Sequence, residues 1–266
     1  VGTGEGRARG GTATAAATIE LAGVAKSFGA LAAVAPFDLH VAAGEFVSVV
    51  GPSGCGKSTL LRMIAGLERP SAGSVSVCGE EPASARRGKH IAVVPQAPGL
   101  LPWRTVEANA SLLLDVRRRA NPASHPDPAA LLDEVGLGAF RRAHPHQLSG
   151  GMQQRVALVR AFALGAPVVL MDEPFAALDE ITRAEMRALL ARMLERRATT
   201  VVFVTHSIAE AVFLSDRVLV CTPRPAAVAA AIEVDLPRPR TPAVEDDPRF
   251  VRLCASARRA LHEAMA

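Results

Sequence analysis

Short apolar runs alternate along this chain with stretches whose polar residues recur at helical or turn-like spacing. Phe46–Val50, Ile91–Val94 and the runs at 168–171, 199–205 and 217–220 are rich in β-branched residues. Runs of this kind suit strands covered on both faces of a parallel sheet. Alternating segments at 19–21, 37–41 and 74–77 predict further strands, and 226–236 a last, weakly patterned one. Helical spacing follows at 60–64, 105–118, 128–135, about 149–164 and 250–265. Residues 97–166 therefore predict a helical insertion in an otherwise α/β chain, with a proline-rich connection at 121–128. Residues 1–18 lack periodicity and apolar bulk, which predicts a disordered extension without the apolar core of a secretion signal. Residues 237–242 read as a linker before a terminal helix that is basic on one side.

The strand at Phe46–Val50 runs into Gly51, Pro52, Ser53, Gly54, Cys55, Gly56, Lys57, Ser58 and Thr59, and then into a helical pattern. A glycine-rich turn between strand and helix lets several backbone N–H groups converge on one anion, to which the helix adds its positive end. Lys57 is spaced to reach the β- and γ-phosphates of a triphosphate, Ser58 offers a hydroxyl to Mg²⁺, and Thr59 backs the turn. The alternative, a Gly/Ser loop that happens to contain a lysine, leaves the strand and helix flanks unexplained.

Further chemistry falls at the carboxyl ends of other predicted strands, where open α/β sheets bind ligands. Asp172 is spaced to hold the metal, through water, and Glu173 to take a proton from an attacking water. His206 closes the run at 199–205 and is either a satisfied polar residue or a contact to the γ-phosphate. Gln96 follows the strand at Ile91–Val94 and is unremarkable alone. Ser149 is a natural N-cap whose following glycines, Gly150 and Gly151, leave N–H groups open at a second helix N-terminus. Phe28, on a turn before the phosphate loop, is either a core residue or a platform for a base. His144-Pro145-His146 lacks a third ligand nearby in sequence and reads as a loop.

Composition narrows this further. At 266 residues with 49% hydrophobic and 21% charged positions, the chain has ample material for one large domain or two small ones. No run approaches the roughly 18 apolar residues of a membrane span. The net charge of +4 comes from basic residues that are scattered or in short runs, so no nucleic-acid partner is expected. The four cysteines form no C-x-x-C pair and read as reduced thiols.

Taken together, the phosphate loop, Gln96, the stretch Leu148-Ser149-Gly150-Gly151-Met152-Gln153-Gln154-Arg155, the Asp172-Glu173 strand, Ala177-Leu178-Asp179 and His206 resemble the ATP-binding subunits of ABC transporters. The resemblance covers residues 19–237. It implies a P-loop NTPase (RecA-like) core with an N-terminal antiparallel β subdomain and a helical ABC signature subdomain. The ABC domain would occupy 19–240, its helical part about 97–166, and a tail with a terminal helix 241–266. It further implies a head-to-tail homodimer around two ATP molecules, in which Ser149, Gly150, Gly151 and Gln153 of one chain cap the nucleotide held by Lys57 of the other. Gln96 would join Ser58 and Asp172 at Mg²⁺. Glu173 would polarise water, His206 steady the γ-phosphate, Asp179 couple the two sites, and Phe28 stack on adenine.

Within the family, residues 99–106 and 236–240 are similar to importers of nitrate, aliphatic sulfonates and taurine, with importers of thiamine precursors sharing such stretches. Pro225-Ala226-Ala227 departs from the more typical Pro-Gly-Arg, and no long regulatory domain of the sugar-importer kind follows. The implied partners are integral membrane permease subunits and, indirectly, an external solute-binding protein, with this chain peripheral on the cytoplasmic face of the membrane. In that setting Trp103 is either an interface anchor or a core residue. A soluble ABC ATPase acting on ribosome or DNA-repair machinery is the alternative. A small-molecule P-loop kinase would leave the Ser149 stretch unexplained.

Overall fold

A computed structural model describes residues 17–266. The predicted extension therefore lies outside the described residues for 1–16, while Ala17 and Thr18 already belong to the first strand. An antiparallel sheet is built from β1 (Ala17–Phe28), β2 (Leu31–Ala42) and β4 (Ala72–Val77) in the order β2-β1-β4, with Leu21 opposite Leu39 and Ile19 opposite Val77. β1 and β2 are longer than 19–21 and 37–41 suggest. Register shifts between Leu21 and Val24 and again near Lys26 break the two-residue period that marks a strand in sequence.

The second sheet holds β3 (Phe46–Val50), β5 (Ile91–Val94), β6 (Val168–Asp172), β7 (Thr200–Thr205), β8 (Arg217–Cys221) and β9 (Val228–Glu233), in the order β5-β6-β7-β3-β8-β9. All pairings are parallel except the β9 edge. Alternate residues of each central strand enter two different cores. Phe46, Val50, Val169, Met171, Val201 and Phe203 join one with the helices. Val47, Val49, Val168, Leu170, Val202 and Val204 join the other, beneath the antiparallel sheet. That double coverage explains why these strands carry no polar alternation.

The helices are α1 (Lys57–Ile64), α2 (Pro82–Arg87), α3 (Val106–Ala110), α4 (Leu112–Asp115), α5 (Pro128–Glu134), α6 (Gly150–Ala163), α7 (Glu180–Glu195), α8 (Ile208–Leu214) and α9 (Pro248–Met265). The single helix expected over 105–118 is instead two short ones ending at Asp115. Lys89, 8% exposed, donates to the Leu113 and Val116 carbonyls and to Asn121 Oδ1, and Arg117 turns left-handed at φ 48°. A cation on the last carbonyls terminates the helix. The expected linker at 237–242 is likewise tied down. Arg240, 3% exposed, donates to the carbonyls of Val212, Phe213 and Ser215 at the end of α8, and to those of Val234 and Leu236. Burial pulls its guanidinium down to about 10.

Candidate active site

The central strand order β6-β7-β3 lays three carboxyl-terminal ends side by side, with Asp172 opposite Val204 and Val50 opposite Thr205. The residues that follow these ends, Gly51, Glu173 and His206, therefore emerge at one edge although far apart in sequence. The turn from β3 into α1 is shaped by Gly56, whose φ of 129° is strained for any side chain and whose Cβ would lie 2.4 Å from the Ala33 carbonyl oxygen. The loop thus fits closely against β2, with its amides at the α1 N-terminus.

Lys57 is buried, and its Nζ donates to the carbonyls of Gly51 and Pro52, each at 2.9 Å. The same ammonium lies 3.9 Å from Glu173 Oε1, while Glu173 Oε2 lies 3.6 Å from His206 Nδ1. Glu173 adopts φ 45°, a costly conformation for a non-glycine residue, and its N–H is held by the Val204 carbonyl at 2.8 Å. Ser58 Oγ donates to Asp172 Oδ1 at 2.9 Å. Burial pushes the Asp172 carboxyl up, and the Ser58 hydroxyl opposes the shift. Two hard oxygen donors at the mouth of a phosphate loop match the ligand preference of Mg²⁺.

A cavity of about 200 Å³ opens here, bounded by Phe28, Gly56, Lys57, Ser58, Glu173 and Arg224. Phe28 is 48% exposed, which excludes the core reading and leaves a ring at the cavity rim, with Lys26 Nζ 4.8 Å from its centroid. A larger cavity of about 950 Å³ between α5, α6 and α7 carries none of these groups, so volume does not select the site. Arg224 was not legible in the sequence. Its Nε and Nη2 donate to the Gly54 carbonyl at 3.0 and 2.6 Å across 170 positions, a contact without a local signal. Cys55 is buried in the loop with its Sγ 3.9 Å from Lys57 Nζ. Burial, together with Cys55 nearby, pushes the Cys221 thiol up to about 12.

The remaining expected residues lie elsewhere. Gln96 is exposed two residues beyond β5, beside the β6 end, and makes no hydrogen bond to Ser58 or Asp172. Ser149 caps α6 by accepting from the Met152 N–H at 3.3 Å, and Ser149 and Gly150 are exposed. Gln153 turns back to the carbonyls of Pro145 and Leu148. Asp179 caps α7 by accepting from the Thr182 N–H and hydroxyl, which hold its carboxyl low. Thr182 also meets the start of α6, since a Cβ on Gly151 would lie 2.7 Å from its Cγ2. None of Ser149, Gly150, Gly151, Gln153 or Asp179 borders the Lys57 cavity of its own chain.

The family model described as ABC transporter matches residues 34–176. The chain is 45% identical to the aliphatic sulfonates import ATP-binding protein SsuB of Rhodopseudomonas palustris, over 85% of this chain and 78% of that protein. The chain belongs to the ABC transporter family. Its similarity to the nitrate import ATP-binding protein NrtC of Synechococcus elongatus is 44% identity over 76% of this chain and 31% of the relative. Among solved structures, the ATP-binding cassette MJ0796, dimeric in a post-hydrolysis state with ADP and Pi, matches at a TM-score of 0.70 and 33% identity. That match covers 82% of this chain and 99% of the cassette. The two sheets are thus those of an ABC ATP-binding subunit, an ATPase with a P-loop NTPase core.

Proposed function

We propose that this chain hydrolyses ATP as the energy-coupling subunit of an importer for aliphatic sulfonates, nitrate or taurine. One observation carries the ATPase half of that reading furthest. Lys57, Glu173 and His206 converge within 4 Å contacts at the phosphate loop, while the capped Ser149 turn stays exposed and apart. The contacts of that turn are then left for a second copy to use, so the working unit is a homodimer in which Ser149, Gly150, Gly151 and Gln153 close over the partner's ATP.

In that unit the loop amides and Lys57 hold the phosphates, Phe28 stacks on the base, and Arg224 braces the loop through Gly54. Glu173 accepts the proton of the attacking water, and His206, held beside it, orients that water against the terminal phosphate. Ser58 and Asp172, joined by Gln96, would hold Mg²⁺, which would supply neutralisation of phosphate charge. Asp179, sharing Thr182 with the signature turn, couples one site to the other.

The partner is an integral membrane permease, with an external solute-binding protein beyond it and this chain peripheral on the cytoplasmic face. No described helix is long and apolar enough to cross a membrane. Trp103 is 74% exposed, which excludes its core reading and supports an interface role. The sulfonate and nitrate assignments rest on the names of the relatives, and taurine on the resemblance of residues 99–106 and 236–240. Co-purification from detergent-solubilised native membranes tests them: the reading expects a permease, with a binding protein that takes up sulfonates, nitrate or taurine. Recovery of only ribosomal or DNA-bound partners would overturn it.

A further inference from the structure

The turn that carries His206 is held by the first turn of α8, which follows it. Thr205, 1% exposed, donates from Oγ1 to Glu210 Oε2 at 2.6 Å and accepts from the Ser207 N–H at 3.0 Å, while Ser207 Oγ caps the Glu210 N–H at 3.3 Å. His206 thus sits between two residues whose positions both depend on Glu210. Glu210 is 4% exposed, and such a carboxylate needs partners. Its second oxygen, Oε1, faces Arg183 Nε at 3.7 Å. Arg183 belongs to α7, and its Nη2 donates to the Leu178 carbonyl at 2.8 Å, one residue before Asp179. Arg183 Nε is buried, has no hydrogen bond of its own and faces Glu210 Oε1, while Nη1 of the same guanidinium donates to Glu180 Oε2 at 3.4 Å on its own helix.

A second path joins the same two segments. Glu173 leads through the Ala176 N–H to Glu173 carbonyl and Leu178 N–H to Phe175 carbonyl turns into Asp179. Glu173 also faces His206. The segments 173–179 and 205–210 therefore form a closed loop, with the Glu173 to His206 contact at one end and the Glu210 to Arg183 contact at the other.

We infer that Glu210 and Arg183 are positioning residues, an ion pair that locks the His206 loop to the Leu178–Asp179 turn so that both move as one. The inference rests on the proposed roles of His206 and Asp179. An ordinary buried pair would serve stability alone. This pair has its two ends on the two segments through which one site would sense the other, and neither member borders the nucleotide cavity. Its loss should therefore slow turnover and leave ATP affinity intact.

The test uses the purified full-length chain and phosphate release as a function of ATP. Glu210→Gln keeps shape and an acceptor for Thr205 while removing charge, and Arg183→Met removes the partner. Each should lower kcat about tenfold with KM changed by less than about twofold, and the double variant should be no slower than the slower single. Arg183→Lys should recover part of the loss, which a purely steric role does not require. Wild-type kcat in both singles, losses that multiply in the double, or a loss confined to KM would each overturn the pairing. If Glu210→Gln does not fold, the Lys-over-Met order at Arg183, at unchanged KM, decides alone. His206→Ala runs alongside. Wild-type turnover there refutes the role of His206 and the relay with it, whereas a His206→Ala that loses turnover beside unimpaired Glu210→Gln and Arg183→Met refutes the relay only.

Discussion

Replacing Glu173 with glutamine separates chemistry from binding, because the carboxylate touches two groups with opposite consequences. Toward water it is the proton acceptor, and removing a general base costs about 10²–10⁴ in rate, or roughly 3–5 kcal/mol of barrier. Toward Lys57 it is a competitor. At 3.9 Å, with both groups largely buried, their attraction is about 4 kcal/mol gross for an effective dielectric near 20. A γ-phosphate beside that carboxylate also meets a like charge. Both terms vanish in Glu173→Gln, so ATP affinity should hold or rise while turnover falls. Initial rates of phosphate release at saturating MgATP give the first quantity, and equilibrium titration with a fluorescent ATP analogue the second. A rate within about threefold of wild type would refute the base assignment. Tenfold weaker binding would show that the carboxylate contributes to holding nucleotide and that the competition argument has the wrong sign.

Three further outcomes follow from the same geometry. Gly56→Ala, which drives a methyl group to 2.4 Å from the Ala33 carbonyl at a φ of 129°, should abolish nucleotide binding by titration while α1 and the sheets persist by circular dichroism. Phe28→Ala should raise the ATP KM by about 5–150-fold with kcat preserved, the loss of one base-on-aromatic stack of about 1–3 kcal/mol; an unchanged KM would remove the ring from the site. Asp115 pairs with Arg104 at 2.6 Å, and this hydrogen bond holds its carboxyl below the ordinary aspartate value. A depressed folded-state pKa contributes stability above the unfolded value near ~4 that is lost as pH falls through the folded one. Both groups are about a third exposed, so Arg104→Met should lower Tm by only roughly 1–3 °C at neutral pH, with the difference gone in strong acid.

The phosphate loop and the parallel strands were legible because their signals are local. A buried strand needs a continuous apolar run, and a phosphate turn needs its glycines and lysine in one stretch. The strand order was not, although it alone brings Gly51, Glu173 and His206 together. α7 carries a local signal as well: Asp179 as its cap, then Met186, Leu189, Leu190 and Met193 at helical spacing on the buried side. The break after Asp115 was hidden for the opposite reason, since Lys89 reaches the α4 carbonyls from a distant loop. Arg224 on Gly54, Arg183 against Glu210 and Arg240 beneath α8 are likewise tertiary contacts of basic residues that, by sequence, resemble any solvated arginine. Position in space also governs Ser149 and Asp179, whose caps are evident from sequence but whose proposed partners belong to a second copy.

The claim that one chain completes its site only with a second is tested most directly by sedimentation velocity of Glu173→Gln with MgATP, alone and with Ser149→Arg added. The account predicts a dimer with MgATP and a monomer with MgADP. It also predicts that Ser149→Arg abolishes the dimer while fluorescent-nucleotide titration shows ATP still bound. A dimer that forms regardless of nucleotide, or one that survives Ser149→Arg, would contradict it.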